Sequence, residues 1–196
     1  SLGNREFFLL STYARIIDYA SLRKNIYMKD MEFDADGNPS CLYIRSNGHE
    51  PGSKSAPYEW CITSWNGKKW QTNVVTTSDH NYDMGSLYIE KNDWKIIGPT
   101  ENGPQKWGVG GELAIWKSID KGNTWENMKI VTKNSEFSHS YVRKPVNFKN
   151  PFCFFWANGH SHNFSKSALY FGNFKGEIWK LPYDMKNDFE KPKKVN

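Results

Sequence analysis

Cysteine is scarce in this 196-residue chain, with Cys41, Cys61 and Cys153 making the full set. Three are too few for a disulfide framework, and their spacing suits no zinc site. If a hairpin loop runs from Ser46 to Ala56, Cys41 and Cys61 face each other across two strands, where a disulfide is conceivable; buried free thiols are the simpler expectation. Long apolar runs are missing too. The longest stretch near the start, Phe7-Phe8-Leu9-Leu10, falls far short of the ~18 residues that would span a bilayer, so membrane insertion is not expected. Sustained helical periodicity is absent, which excludes a long-helix bundle; only Ala14 to Leu22 offers a short helix as an alternative. Strong charge of one sign is also lacking. The net charge of +5 comes from 26 basic against 21 acidic residues. The single dense basic run, Lys191-Pro192-Lys193-Lys194, reads as a solvated end, and nucleic acid is not expected as a partner. The chain opens at Ser1-Leu2 without an initiator Met and shows no signal-peptide pattern, so the compartment is not legible directly.

What is abundant is aromatic. Phe, Trp and Tyr make up 16% of the chain, with nine Trp and ten Tyr, alongside 15 Gly. Many short strands joined by tight turns have this composition, which makes the chain all-β. A repeat gives the strands an order. Gly-centred turns followed by Trp recur around Trp70, Trp125 and Trp179, at intervals of 55 and 54 residues. A second set of turns, at Asp36-Gly37-Asn38, Asn92-Asp93 and Asn150-Pro151, keeps intervals of 56 and 58. In the middle unit four strands are expected, about Asn81 to Glu90, Trp94 to Gly98, Gly111 to Ser118 and Thr124 to Thr132. Four-stranded units at such a period are β-propeller blades. The chain then divides into a lead-in over 1–25, blades over 26–72, 78–132 and 137–181, and a basic tail over 182–196. Three antiparallel four-stranded blades are fewer than a closed propeller uses. A larger propeller is expected, its remaining blades supplied by a longer chain or a second chain.

Ser118-x-Asp120-x-Gly122-x-Thr124-Trp125 carries the turn chemistry of the repeat. Asp120 is placed to accept backbone N–H groups, Gly122 to supply positive φ, and Trp125 to fold beneath the hairpin. This segment resembles the Asp-box, or BNR repeat. Further stretches resemble one BNR-repeat group of the sialidase-like propellers: FDADGNPSCLYI (Phe33–Ile44), TTSDHNYDMGSLYIE (Thr76–Glu90), WKIIGPTENGPQ (Trp94–Gln105), GGELAIWKSIDKGNTW (Gly110–Trp125) and SHSYVRKPVN (Ser138–Asn147). That group includes ulvan-lyase-like and rhamnosidase-like proteins acting on acidic polysaccharides. The resemblance implies a propeller of about twice this length, a polysaccharide or oligosaccharide partner, and a periplasmic or secreted location.

Candidate chemistry follows from the strands expected to line the channel. His80 and Tyr82 would share one strand face, and His139, Tyr141 and Arg143 another. β-Elimination on a uronate needs a base, an acid and a cation for the carboxylate. His80 is cast as base, with His139 able to share or replace it, Tyr141 or Tyr82 as acid and Arg143 as clamp. Glycoside hydrolysis would need two facing carboxylates, for which Asp30, Asp83 and Glu112 are the candidates. A sialidase would need three arginines, and ranks third. Trp107, on a Gly-rich loop, is a candidate sugar platform, whereas Trp60, Trp65, Trp70, Trp94, Trp125 and Trp179 are read as core. His160 and His162 could seat a metal with His49 as a third ligand, but two histidines at this spacing read better as a polar loop between strands. No cofactor or metal is expected. A non-catalytic glycan-binding propeller is the rival reading throughout.

Overall fold

The computed structural model describes residues 15–195. Thirteen strands form three antiparallel sheets, each a meander in which sequential strands are neighbours. The first sheet holds β1 (Asn25–Phe33), β2 (Pro39–Ser46), β3 (Tyr58–Trp65) and β4 (Trp70–Ser78). The second holds β5 (Ser86–Glu90), β6 (Asp93–Glu101), β7 (Glu112–Ser118) and β8 (Glu126–Ile130). The third holds β9 (Ser138–Arg143), β10 (Phe154–Gly159), β11 (Leu169–Gly172), β12 (Ile178–Lys180) and β13 (Lys193–Lys194). None of the sheets closes on itself. The basic end is therefore not wholly free: Lys193 and Lys194 pair with β12. The helical alternative fails over Arg15 to Leu22, which is irregular and turn-like, while Ala14 lies outside the described residues.

Local chemistry explains the hairpins. Asp34, Asn66, Asp120 and Asn173 each turn a side-chain oxygen back onto backbone N–H groups a few residues on. In the fullest case Asp120 accepts from the Thr124 N–H at 2.9 Å and its hydroxyl at 2.7 Å, while Ser118 Oγ accepts from the Gly122 N–H. Those bonds, the Thr124 N–H first, hold the Asp120 carboxyl down at about 2. Gly122 takes φ 81°, a region that disfavours side chains, and Trp125 donates to its carbonyl.

Packing between sheets supplies the cores. Leu42, Ile44, Trp60 and Ile62 of the first sheet meet Leu87, Trp94 and Ile96 of the second. On its opposite face the second sheet offers Tyr88, Ile97, Leu113 and Ile115 to Val142, Phe154, Trp156 and Ile178 of the third. The middle sheet is covered on both sides, so β6 is buried without a break from Ile96 to Thr100 and β7 from Glu112 to Ile115 rather than at alternate residues. Trp60 is held so closely that a Cβ at Gly98 would lie 2.8 Å from its ring. Of the tryptophans read as core, Trp60 and Trp94 are buried; Trp65, Trp70, Trp125 and Trp179 are half-buried.

The first strands of the three sheets lie side by side. Asp30 on β1 accepts the Leu87 N–H of β5 at 2.7 Å, and Ser86 donates to the Val142 carbonyl of β9. Lys144 crosses back to Glu32 and to the Leu87 carbonyl. The two cysteines do not face each other: Cys41 pairs with Thr63 and Cys61 with Tyr43, a two-residue offset from the expected register. The Ser46–Tyr58 connection is one element longer than a simple hairpin loop, with a short 3-10 turn at Ser53–Ser55, and all three cysteines are free.

Candidate functional site

The expected inner strand at His80 is not a strand. Residues 79–85 run as an irregular segment leading into β5, so alternation does not govern them. His80 is buried, 1% exposed, and Tyr82 is 42% exposed. The His80 ring sits between two carboxylates, with Nδ1 2.7 Å from Asp79 and Nε2 against Asp83. Burial alone would lower its pKa, but the charge of Asp83 and the bond to Asp79 outweigh burial and push it up to about 9. A neutral, channel-facing base at His80 is therefore corrected to a buried imidazolium.

Both carboxylates also tie down the neighbouring loop. Asp83 accepts the Gly110 N–H at 2.8 Å and Asp79 the Trp107 N–H at 3.2 Å. Asp79 is held below the usual carboxylate range, the bond and charge of His80 overcoming its burial. One oxygen of Asp83 and the side-chain oxygen of Asn81 are buried with no partner among the described residues.

Lys29 approaches the same cluster from β1. It is the extra residue of a bulge between Met28 and Asp30, which turns it inward. At 5% exposure its ammonium donates to the Asn81 carbonyl at 2.6 Å. Burial is the main cause that brings its pKa down to about 8; Asp83 opposes the shift and Arg143 adds to it. Arg143, exposed on β9, is thus within electrostatic reach of Lys29. Tyr82 packs edge-on against Tyr27, 5.3 Å between centroids, and donates to the His49 carbonyl at 2.8 Å.

A second bulge separates His139 from Tyr141. The pairing of β9 with β10 shifts between Phe155 and Ala157, and Tyr141 takes φ 56°. The shared face expected for the two is lost: Tyr141 is 53% exposed and His139 only 5%. Trp156 Nε1 donates to His139 Nδ1 at 2.9 Å, which leaves the ring proton on Nε2 for Ser135 Oγ at 3.0 Å. Ser135 in turn donates to Glu112 at 2.8 Å. Burial brings His139 down to about 4, against the opposing charge of Glu112, so it is neutral but fully engaged.

The structure therefore gathers Lys29, His80, Asn81, Tyr82, Asp83 and Arg143, and places Glu112 and His139 in a separate relay. Asp30 braces β5, and burial raises its pKa. Trp107 is half-buried against the first core, with Lys106 Nζ 5.3 Å from its ring centroid, which is not an open platform. His162 reaches the Lys106 carbonyl, and His160 Nδ1 accepts backbone N–H groups of its own loop. Among the described residues no three His, Cys, Asp or Glu side chains gather to hold a metal. Lys29, Asp79, Ser135 and Trp156 were missed from sequence. The run Met28-Lys29-Asp30-Met31, which breaks apolar alternation, was the available sign of the bulge.

No family model and no curated protein matches this chain. Two solved chains resemble it in fold, both of a polysaccharide lyase of a new family, PL25, an ulvan lyase, and one of them bound to -[GlcA(1-4)Rha3S]-. Each superposes with a TM-score of 0.59 at 16% identity over 77% of this chain. The chain spans 33% of their length.

Proposed function

We propose that the three sheets are blades of a β-propeller from a carbohydrate-active protein, and that β1, β5 and β9 line the side facing an acidic polysaccharide. The observation that carries this reading is that exposed Tyr82 and Arg143 lie at the buried Lys29–His80 cluster where β1, β5 and β9 meet, with exposed Tyr141 on the same strand as Arg143. The remaining blades belong to a longer or second chain, and a polymeric substrate places the protein in the periplasm or outside the cell.

The chemistry proposed is β-elimination. Arg143 pairs with the uronate carboxylate and stabilises the charge that builds on it as the C5–H bond breaks. Lys29 and the imidazolium of His80 balance the Asp79 and Asp83 carboxylates, so the buried cluster does not repel the anionic sugar. Tyr141, whose hydroxyl has no partner among the described residues, relays a proton from C5 to the departing C4 oxygen. Hydrolysis is less well served: Asp30, Asp83 and Glu112 are each committed to backbone N–H groups. For a sialidase triad the gathered cluster supplies Arg143 alone among the described residues; Arg45 is paired with Glu59 and Arg15 with Asp18.

The burial of both histidines favours a second reading, glycan binding without catalysis. Incubation with uronate polysaccharides decides between them through the ultraviolet absorbance of the unsaturated product. Product formation that Arg143→Ala and Tyr141→Phe abolish supports the lyase. Binding without product supports the binder, and neither binding nor product refutes both.

A further inference from the structure

A cleft of about 400 Å³ opens where the β8–β9 connection passes over the third sheet; His139 of β9 lines it, but none of Lys29, His80, Tyr82, Asp83, Tyr141 or Arg143 does. Its volume falls within the ~300–1,000 Å³ usual for small-molecule sites. The floor is rigid. Tyr170 stacks on Trp156 with centroids 5.4 Å apart and planes 13° from parallel, and Trp156 is pinned by its bond to His139. Neutral His139 brings no positive charge to this floor.

The walls carry ammonium groups that rest on aromatic rings. Lys180 Nζ lies 5.5 Å from the Tyr170 ring centroid and Lys166 Nζ 4.7 Å from that of Tyr183, and among the described residues neither forms an ion pair. Asn158 accepts the Ala168 N–H through its Oδ1 at 3.0 Å, which directs its amide group away, with no acceptor among the described residues. Glu136 and Asp184 also line the cleft and are suited to accept sugar hydroxyls. Two ammonium groups outside any ion pair and a free carboxamide donor together match an anionic sugar: charge to the lysines, hydroxyls to the carboxylates.

We propose that this cleft is a second saccharide-binding site that takes a sugar bearing one anionic group, a carboxylate or a sulfate ester. It has the ligand class of the reading above but none of its residues, and it needs no catalysis.

Titration calorimetry tests it with three probes: an unsulfated glucuronate oligosaccharide, a sulfated neutral oligosaccharide and an uncharged oligosaccharide. Each is titrated into wild type, Arg143→Ala and the double variant Lys166→Met/Lys180→Met, whose folding is checked by its unfolding midpoint. The expected result is binding of an anionic probe that survives Arg143→Ala and weakens about tenfold or more in the lysine variant. Which anionic probe binds tells carboxylate from sulfate. Equal binding of the uncharged probe overturns the proposal, as does binding indifferent to the lysines or no binding at all. Binding lost in Arg143→Ala but intact in the lysine variant overturns this cleft while leaving the other site standing.

Discussion

His139 couples stability to acid in a way that can be worked out in advance. Its ring is neutral in the folded protein, with a pKa brought down to about 4, against an unfolded value near 6.5. A histidine depressed in this way stabilises the fold above the unfolded pKa, and that contribution is lost as pH falls towards the folded one. The gap corresponds to about 3 kcal/mol, lost at a slope of up to about 1.4 kcal/mol per pH unit. Relays of this kind have a definite electrostatic signature. Protonation would force Nδ1 to carry a proton against the Trp156 N–H that already points at it. Urea unfolding, followed by tryptophan fluorescence at intervals from about pH 7 to pH 4, measures the loss. His139→Gln removes the titration while keeping an acceptor for Trp156. Carboxylates elsewhere contribute equally to both proteins, and His80 is protonated in folded and unfolded chains alike below about pH 6.5, so the difference isolates His139. Wild type should lose about 3 kcal/mol more than His139→Gln across the window. Parallel profiles would refute the argument that burial keeps this ring neutral.

Gly98→Ala should destabilise by about 1–3 kcal/mol, since its Cβ would meet the Trp60 ring at 2.8 Å. Combining it with Trp60→Phe should relieve part of that loss, and strictly additive urea midpoints would contradict the close packing. Asp83→Asn should lower the His80 pKa from about 9, because the carboxylate charge is what outweighs burial. The stabilisation from His80, full below about pH 6.5 and lost as pH rises through about 9, should shrink accordingly. Histidine NMR titration reads the first effect and alkaline unfolding the second; an unmoved His80 resonance would place the source of its charge elsewhere.

Strands and turns were the legible part of this chain. The bonds of the turn at Ser118–Trp125 close within eight residues, and Leu113-Ala114-Ile115-Trp116, expected on a strand, lies within β7. Register was less legible. Cys41 and Cys61 came out two residues from their expected alignment because the connection between β2 and β3 is not a simple hairpin. The candidate site fared worst at His80 and His139. Alternation placed His80 with Tyr82 and His139 with Tyr141, and one irregular segment and one bulge separated both pairs.

Turn chemistry and apolar spacing act between residues near one another in the chain, so the amino-acid order alone was enough to mark three sets of strands and the glycines that close them. Protonation and exposure depend on groups that meet only after the sheets pack. Lys29 finds its acceptor 52 residues away at Asn81, Asp83 its donor 27 residues away at Gly110, and His139 its donor 17 residues away at Trp156. His80 owes its charge to chain neighbours, Asp79 and Asp83, but only packing buries all three and fixes their geometry, and burial likewise keeps His139 a neutral ring, because charge in a dry interior is set by whatever dipoles and ions the fold brings within a few ångströms.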